Sequence, residues 1–158
     1  MEIESLIAIL MENRLLKTEE EMSKFHAALN ELMLIPPDEN WLPNLFRVYS
    51  DAARNTPPLE VLLRYVKSFD KSAFVRTLVD ITPELLESAA EWLRVFYIGT
   101  LADRVKPMYL RDLYAHLSSQ HQAQIRQIFL TMAQTNYYDS AMEQALKEDI
   151  AYVVGESV

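Results

Sequence analysis

The sequence predicts an all-α protein of eight or nine helices stacked as irregular antiparallel hairpins. Three observations carry that expectation. Glycine is nearly absent: Gly99 and Gly155 are the two in 158 residues, where an average chain runs at about 7%. Sheet folds draw on glycine for tight turns at positive φ. Leu and Ala together number 37 against 26 for Val, Ile and Thr, a balance toward helix formers. Helix-start signals also recur along the chain, each followed by apolar residues at helical spacing.

The elements follow in order. Ile3, Leu6, Ile7 and Leu10 form one stripe of a first helix over about 3–16. Thr18 with Glu21 is a capping box for the second, where Glu19, Glu20 and Glu21 also favour the positive end of the helix dipole. Met22, Phe25, Leu29, Leu32 and Met33 continue it until Pro36-Pro37 ends it. Asp38 or Asn40 opens a third helix, with Pro43 in its first turn. Thr56-Pro57 starts a fourth, and Asp70 caps a short fifth carrying Phe74, Leu78 and Val79. Thr82-Pro83 reads as the start of a sixth, with the stripe Leu85, Leu86, Ala89, Leu93, Phe96 and Tyr97. Pro107 starts a seventh, Ser118 or Ser119 an eighth, and Asp139 or Ser140 the last. Leu62, Leu63, Leu93 and Phe96 are expected in the core. No composition break marks a second domain, so residues 1–158 read as a single helical domain.

Composition and motifs exclude most chemistry. Cysteine is absent, so there is no disulfide framework and no thiolate metal site. The histidines, His26, His116 and His121, do not form a His-Glu-x-x-His pattern, and no metal or cofactor is expected. Carboxylate pairs such as Glu84 with Glu87 read as solvated helix faces. No Gly-x-Ser-x-Gly elbow is present. The stretch 114–125 has the outline of a helix-turn-helix with Gln120, Gln122 and Gln124. Arg111, Asp112 and Arg126 give it too little positive charge for phosphate contacts. No enzyme is expected. The N-terminus carries Glu2 and Glu4 where a secretory leader would carry positive charge. The apolar run Leu6–Met11 is far short of the about twenty residues of a membrane span. A cytoplasmic protein is expected.

Charge gives the functional lead. The net charge is −8, and residues 1–60 hold eleven acids against five bases, a net of −6. Such a surface repels nucleic acid and attracts basic proteins. Aromatics beside acids suit a protein-binding surface. The candidates are Asp38, Glu39 and Trp41 at one helix start, and Tyr137, Tyr138 and Asp139 between two helices.

The stretch from Leu59 to Leu101 adds a resemblance. It runs Leu59-Glu60-Val61-Leu62-Leu63-Arg64-Tyr65-Val66-Lys67-Ser68-Phe69-Asp70, then Phe74-Val75-Arg76-Thr77-Leu78, then Pro83 through Ala89, and Glu91-Trp92-Leu93 before Ile98. It resembles the bacterial immunity protein 30 family, all-helical antidotes encoded beside polymorphic or contact-dependent toxins. The matching positions are scaffold, so no functional residues carry over. The resemblance implies a stoichiometric inhibitor that binds the C-terminal domain of a cognate toxin, expected to be basic and nuclease-like, such as an RNase. A helical adaptor that binds a protein or peptide partner is the alternative.

Overall fold

A computed structural model of the chain describes residues 1–134 and 140–155. Nine α-helices account for most of them: α1 Ile3–Glu12, α2 Glu19–Leu32, α3 Leu42–Arg47, α4 Pro57–Lys67, α5 Lys71–Leu85, α6 Ala90–Ala102, α7 Lys106–Ala115, α8 Ser119–Ala133 and α9 Ser140–Val154. A single 3-10 turn, Glu39–Trp41, leads into α3. No strand occurs among the described residues. The chain divides into two compact units, Met1–Thr77 and Leu78–Val158.

In the first unit α1 packs on α2 and α3, and α2 on α4. Their shared core includes Leu10, Phe25, Leu29, Leu45, Phe46, Tyr49 and Phe74, all essentially without solvent exposure. Phe46 and Phe74 meet edge to face with centroids 5.4 Å apart, a favoured aromatic geometry. Leu62 is fully buried, and truncating such a leucine to alanine costs about 2–5 kcal/mol. Leu63, expected beside it in the core, is only half-buried, because the adjacent residue on a helix is turned about 100° away.

The first helix is shorter than the sequence suggests, ending at Glu12 rather than near residue 16. Asn13 explains the stop: its backbone N–H and its side-chain Nδ2 both donate to the Ile9 carbonyl, at 3.2 and 2.8 Å. The chain then turns through Leu16, whose φ is +50°. A left-handed leucine costs about 1–2 kcal/mol. Its side chain is fully buried, and the carbonyls of Leu15 and Leu16 accept from Arg54 N and Asn55 Nδ2, both at 2.9 Å.

The helix starts are mostly as expected. Thr18 Oγ1 accepts from Glu21 N at 3.1 Å. The Glu21 carboxylate reaches one residue further back than the usual box, to Lys17 N at 3.0 Å. Asp70 Oδ2 accepts from Ala73 N, and Ser118 Oγ from His121 N. Each of these caps satisfies an amide that the first turn leaves free.

In the second unit α6 packs on α7, α8 and α9, and α9 also packs on α7 and α8. Tyr97 meets Phe129 edge to face at 5.5 Å, and Trp92 and Leu93 are buried in the same core. Gln122 Nε2 donates to the Tyr114 carbonyl at 2.7 Å, so this glutamine caps α7 instead of facing outward. Gly155 closes α9 at φ +79°, with its N–H on the Ala151 carbonyl at 2.8 Å, the left-handed stop that glycine allows.

One expected helix start is wrong. Thr82-Pro83 lies inside α5, which runs to Leu85, and the next helix begins at Ala90. Proline cannot supply an N–H to the carbonyl four residues back, here that of Val79. His121 Nε2 sits 2.7 Å from that oxygen, so the imidazole carries its proton on Nε2 and donates. Thr82 reinforces the turn: its hydroxyl donates to the Leu78 carbonyl at 2.7 Å. The Tyr97 hydroxyl, also 2.7 Å away, is then the donor to Thr82 Oγ1. Pro83 itself faces solvent.

Candidate protein-docking surface

The segment from Met33 to Trp41 joins α2 to α3 and contains three of the residues singled out by charge and aromaticity. Its shape follows from local bonding. Met33 N still reaches the Leu29 carbonyl, at 2.9 Å. Leu34 N then bonds the Glu31 carbonyl at 3.2 Å and Ile35 N the Leu32 carbonyl at 2.9 Å. These tighter turns satisfy carbonyls at the helix end. Pro36 excludes helix at Ile35. The Ile35 carbonyl is not wasted on solvent: the Tyr65 hydroxyl of α4 donates to it at 3.0 Å. Tyr65 is itself held edge to face against Phe69, 5.4 Å away. Burial, and secondarily the charge of Asp38, push the Tyr65 hydroxyl above its ordinary range.

Asp38 caps the following turn. Its Oδ1 accepts from Asn40 N, and its carbonyl from Trp41 N, both at 3.0 Å. Of the two cap candidates, Asp38 is therefore the one used. Asp38 and Glu39 are exposed and Trp41 is half-buried. Glu39 Oε1 lies 3.7 Å from Arg76 Nη2, with both side chains more than half exposed. Such a pair contributes about 0–1 kcal/mol and offsets part of the negative charge at Glu39.

Two further residues belong to this surface and were not singled out by sequence. Leu34 is 85% exposed and Met33 44% exposed. Met33 was expected on the apolar stripe of α2. The run Leu32-Met33-Leu34-Ile35 held the signal: four consecutive apolar residues cannot all lie on one helix face. Leu32 takes the core position, fully buried.

The other expectations resolve differently. Tyr137, Tyr138 and Asp139 lie outside the described residues. In the Glu19–Glu21 run, Glu20 pairs with Lys24 at 2.8 Å, and that hydrogen bond holds its carboxyl below the ordinary range. Glu21 is committed to Lys17 N. His116 Nδ1 donates to the Asp112 carbonyl at 2.8 Å, as His121 does to Val79. No cluster of three or more potential metal ligands occurs among the described residues. No described helix is long and apolar enough to cross a membrane.

The described residues of the second unit include two shallow clefts. One, of about 230 Å³, lies among Leu86, Ala90, Arg94, Gln127, Ile128 and their neighbours. The other, of about 180 Å³, lies between α6 and α9, lined by Ile98, Leu101, Met142 and Leu146 with Asp149 among them. Burial, with Glu148 nearby, raises the Asp149 carboxyl above its ordinary range. Neither lining includes a histidine, a serine or a cysteine.

The profile of the Immunity protein 30 family matches residues 12–110, well over half of the chain. The chain belongs to the Immunity protein 30 family. The match runs from the last residue of α1 to Leu110 in α7, so it includes the whole Met33–Trp41 segment. Residues 135–139, α8 and α9 lie beyond it. Neither the curated proteins nor the solved structures yield a significant match to this Immunity protein 30 member.

Proposed function

We propose that this protein neutralises a cognate toxin domain by binding it and occluding its active site, in the cytoplasm of a cell exposed to contact-dependent growth inhibition. Membership of the Immunity protein 30 family is the observation that carries the reading. The acidic N-terminal portion supports a basic, nuclease-type target, because opposite charge steers two proteins together. Carboxylates would stand where substrate phosphates stand, and aromatics would fill the adjoining pockets. Asp38, Glu39 and Asp139 are the proposed steering charges, with Trp41, Tyr137 and Tyr138 as anchors. The role is inhibition in a one-to-one complex, with no catalytic step and no cofactor.

The test is association kinetics with the toxin domain encoded in the adjacent reading frame, at two ionic strengths. Asp38 caps a turn, so it is replaced by asparagine, which caps equally well. Glu39 and Asp139 are reversed to lysine. Rim charges act mainly on the association rate and its salt dependence. The triple variant should bind more slowly at low salt, with a flatter salt dependence and a nearly unchanged melting temperature. Unchanged association at low salt would remove these three acids from the interface.

A further inference from the structure

We infer that Met33 and Leu34 form the apolar anchor of this surface, entering a hydrophobic pocket on the toxin domain that is rimmed by lysine or arginine. The inference rests on the neutralisation reading above and adds the residues that would hold the complex together.

The exposure itself is the first argument. A leucine 85% exposed next in sequence to a methionine 44% exposed puts two large apolar side chains in water at adjacent positions. Single exposed hydrophobics are ordinary. The other large ones, such as Met11, Val95, Met108 and Leu130, stand singly along the chain.

Rigidity is the second argument. A free apolar tip on a mobile loop would lose conformational freedom on binding, at about 0.5–1.5 kcal/mol for each side chain held still. Here the backbone is already held. Leu34 N and Ile35 N bond the last turn of α2, the Ile35 carbonyl accepts from Tyr65, and Asp38 caps the exit. The segment is preorganised to present its tip.

Charge names the occupant. Exposed Glu31 and Asp38 flank the tip in sequence, and Asp38 is fixed at the exit of the segment by its bond from Asn40 N. The 1–60 portion as a whole carries a net −6. A pocket that accepts Leu34 must therefore meet this negative rim with positive charge. A second copy of the chain would bring the same acids against each other, and like charges face to face oppose docking. A basic protein partner is what the chemistry fits.

The experiment compares wild type, Leu34→Ser, the double variant Met33→Ser/Leu34→Ser, and Leu34→Met. All are made in the full chain and first checked for an unchanged melting temperature, as their exposure predicts. Binding to the purified toxin domain from the adjacent reading frame is followed by surface-based kinetics. Truncating a central anchor commonly weakens binding by about 30-fold or more, mostly through faster dissociation. Leu34→Ser should show that loss with a nearly unchanged association rate, the double variant more, and Leu34→Met should stay within a few-fold of wild type. Equal dissociation rates for wild type and Leu34→Ser would overturn the anchor and leave neutralisation standing. Self-association of the chain abolished by Leu34→Ser would overturn it as well, making a second copy the occupant. Failure of wild type to bind that toxin domain would remove both the anchor and the function on which it rests.

Discussion

Two tyrosines illustrate how single side chains set the chemistry of this protein's stability. The Tyr49 hydroxyl donates to the Leu59 carbonyl at 3.0 Å in a fully buried setting. Tyr97 shares its hydroxyl with Thr82. Burial pushes both phenols well above the ordinary tyrosine value of 10.0. The sign follows from proton counting. Above 10.0 the unfolded chain releases these protons while the folded chain keeps them, so stability falls as pH rises. Each buried phenol contributes a slope of about 1.4 kcal/mol per pH unit until its folded value is reached. Denaturant melts across the alkaline range should show this loss, and Tyr49→Phe should flatten it while costing about 1 kcal/mol at neutral pH. Tyrosinate absorbance from all eight tyrosines rising before unfolding would contradict the assignment. Residue identity also decided what could be read in advance. Thr18, Asp70 and Ser118 announce themselves as caps because the cap bond is local, spanning three residues. Leu34 and Met33 do not announce their exposure, since burial depends on what other segments cover.

At the scale of elements, α5 is the instructive helix. Local sequence places a helix start at Thr82-Pro83, because proline favours first turns and breaks interiors. The helix continues because His121, 42 residues from Val79 in sequence, gives the Val79 carbonyl the donor that Pro83 lacks. No local pattern encodes that partner, which is why the boundary was not legible. A double-mutant cycle checks the account. His121→Ala leaves the Val79 carbonyl short of a donor and should destabilise the protein by about 1–3 kcal/mol. In a Pro83→Ala background the new amide N–H can take that carbonyl, so His121→Ala should cost much less. Equal costs in both backgrounds, measured by denaturant unfolding, would show that the imidazole does not act through the proline. The turn after α1 has the same origin: the stop at Asn13 is local, but the left-handed Leu16 is held by Arg54 and Asn55 of a distant loop, which donate to the Leu15 and Leu16 carbonyls. Helices whose starts are local, such as α4 at Pro57 and α7 with Pro107 in its first turn, were legible throughout.

For the whole molecule, class and lineage were written in the sequence more plainly than the site. Scarce glycine and recurrent caps indicate helices, and the apolar pattern from Leu59 to Leu101 falls inside the family match of residues 12–110. That pattern is scaffold, so it identifies the family without marking the surface that does the work. Asp38, Glu39 and Trp41 are candidates legible in the sequence because they lie within four residues and are chemically distinctive. The exposure of Met33 and Leu34 beside them came only with the fold. The proposed role makes this acidic helical protein the antidote to a toxin domain encoded beside it. The most direct measurement is growth of a bacterial culture induced to express that toxin domain, with and without this chain expressed at comparable level. Growth should arrest with the toxin domain alone and be near normal when the chain is present, with the rescue weakened by Leu34→Ser. Continued arrest with both proteins folded and present in the same cells would contradict it.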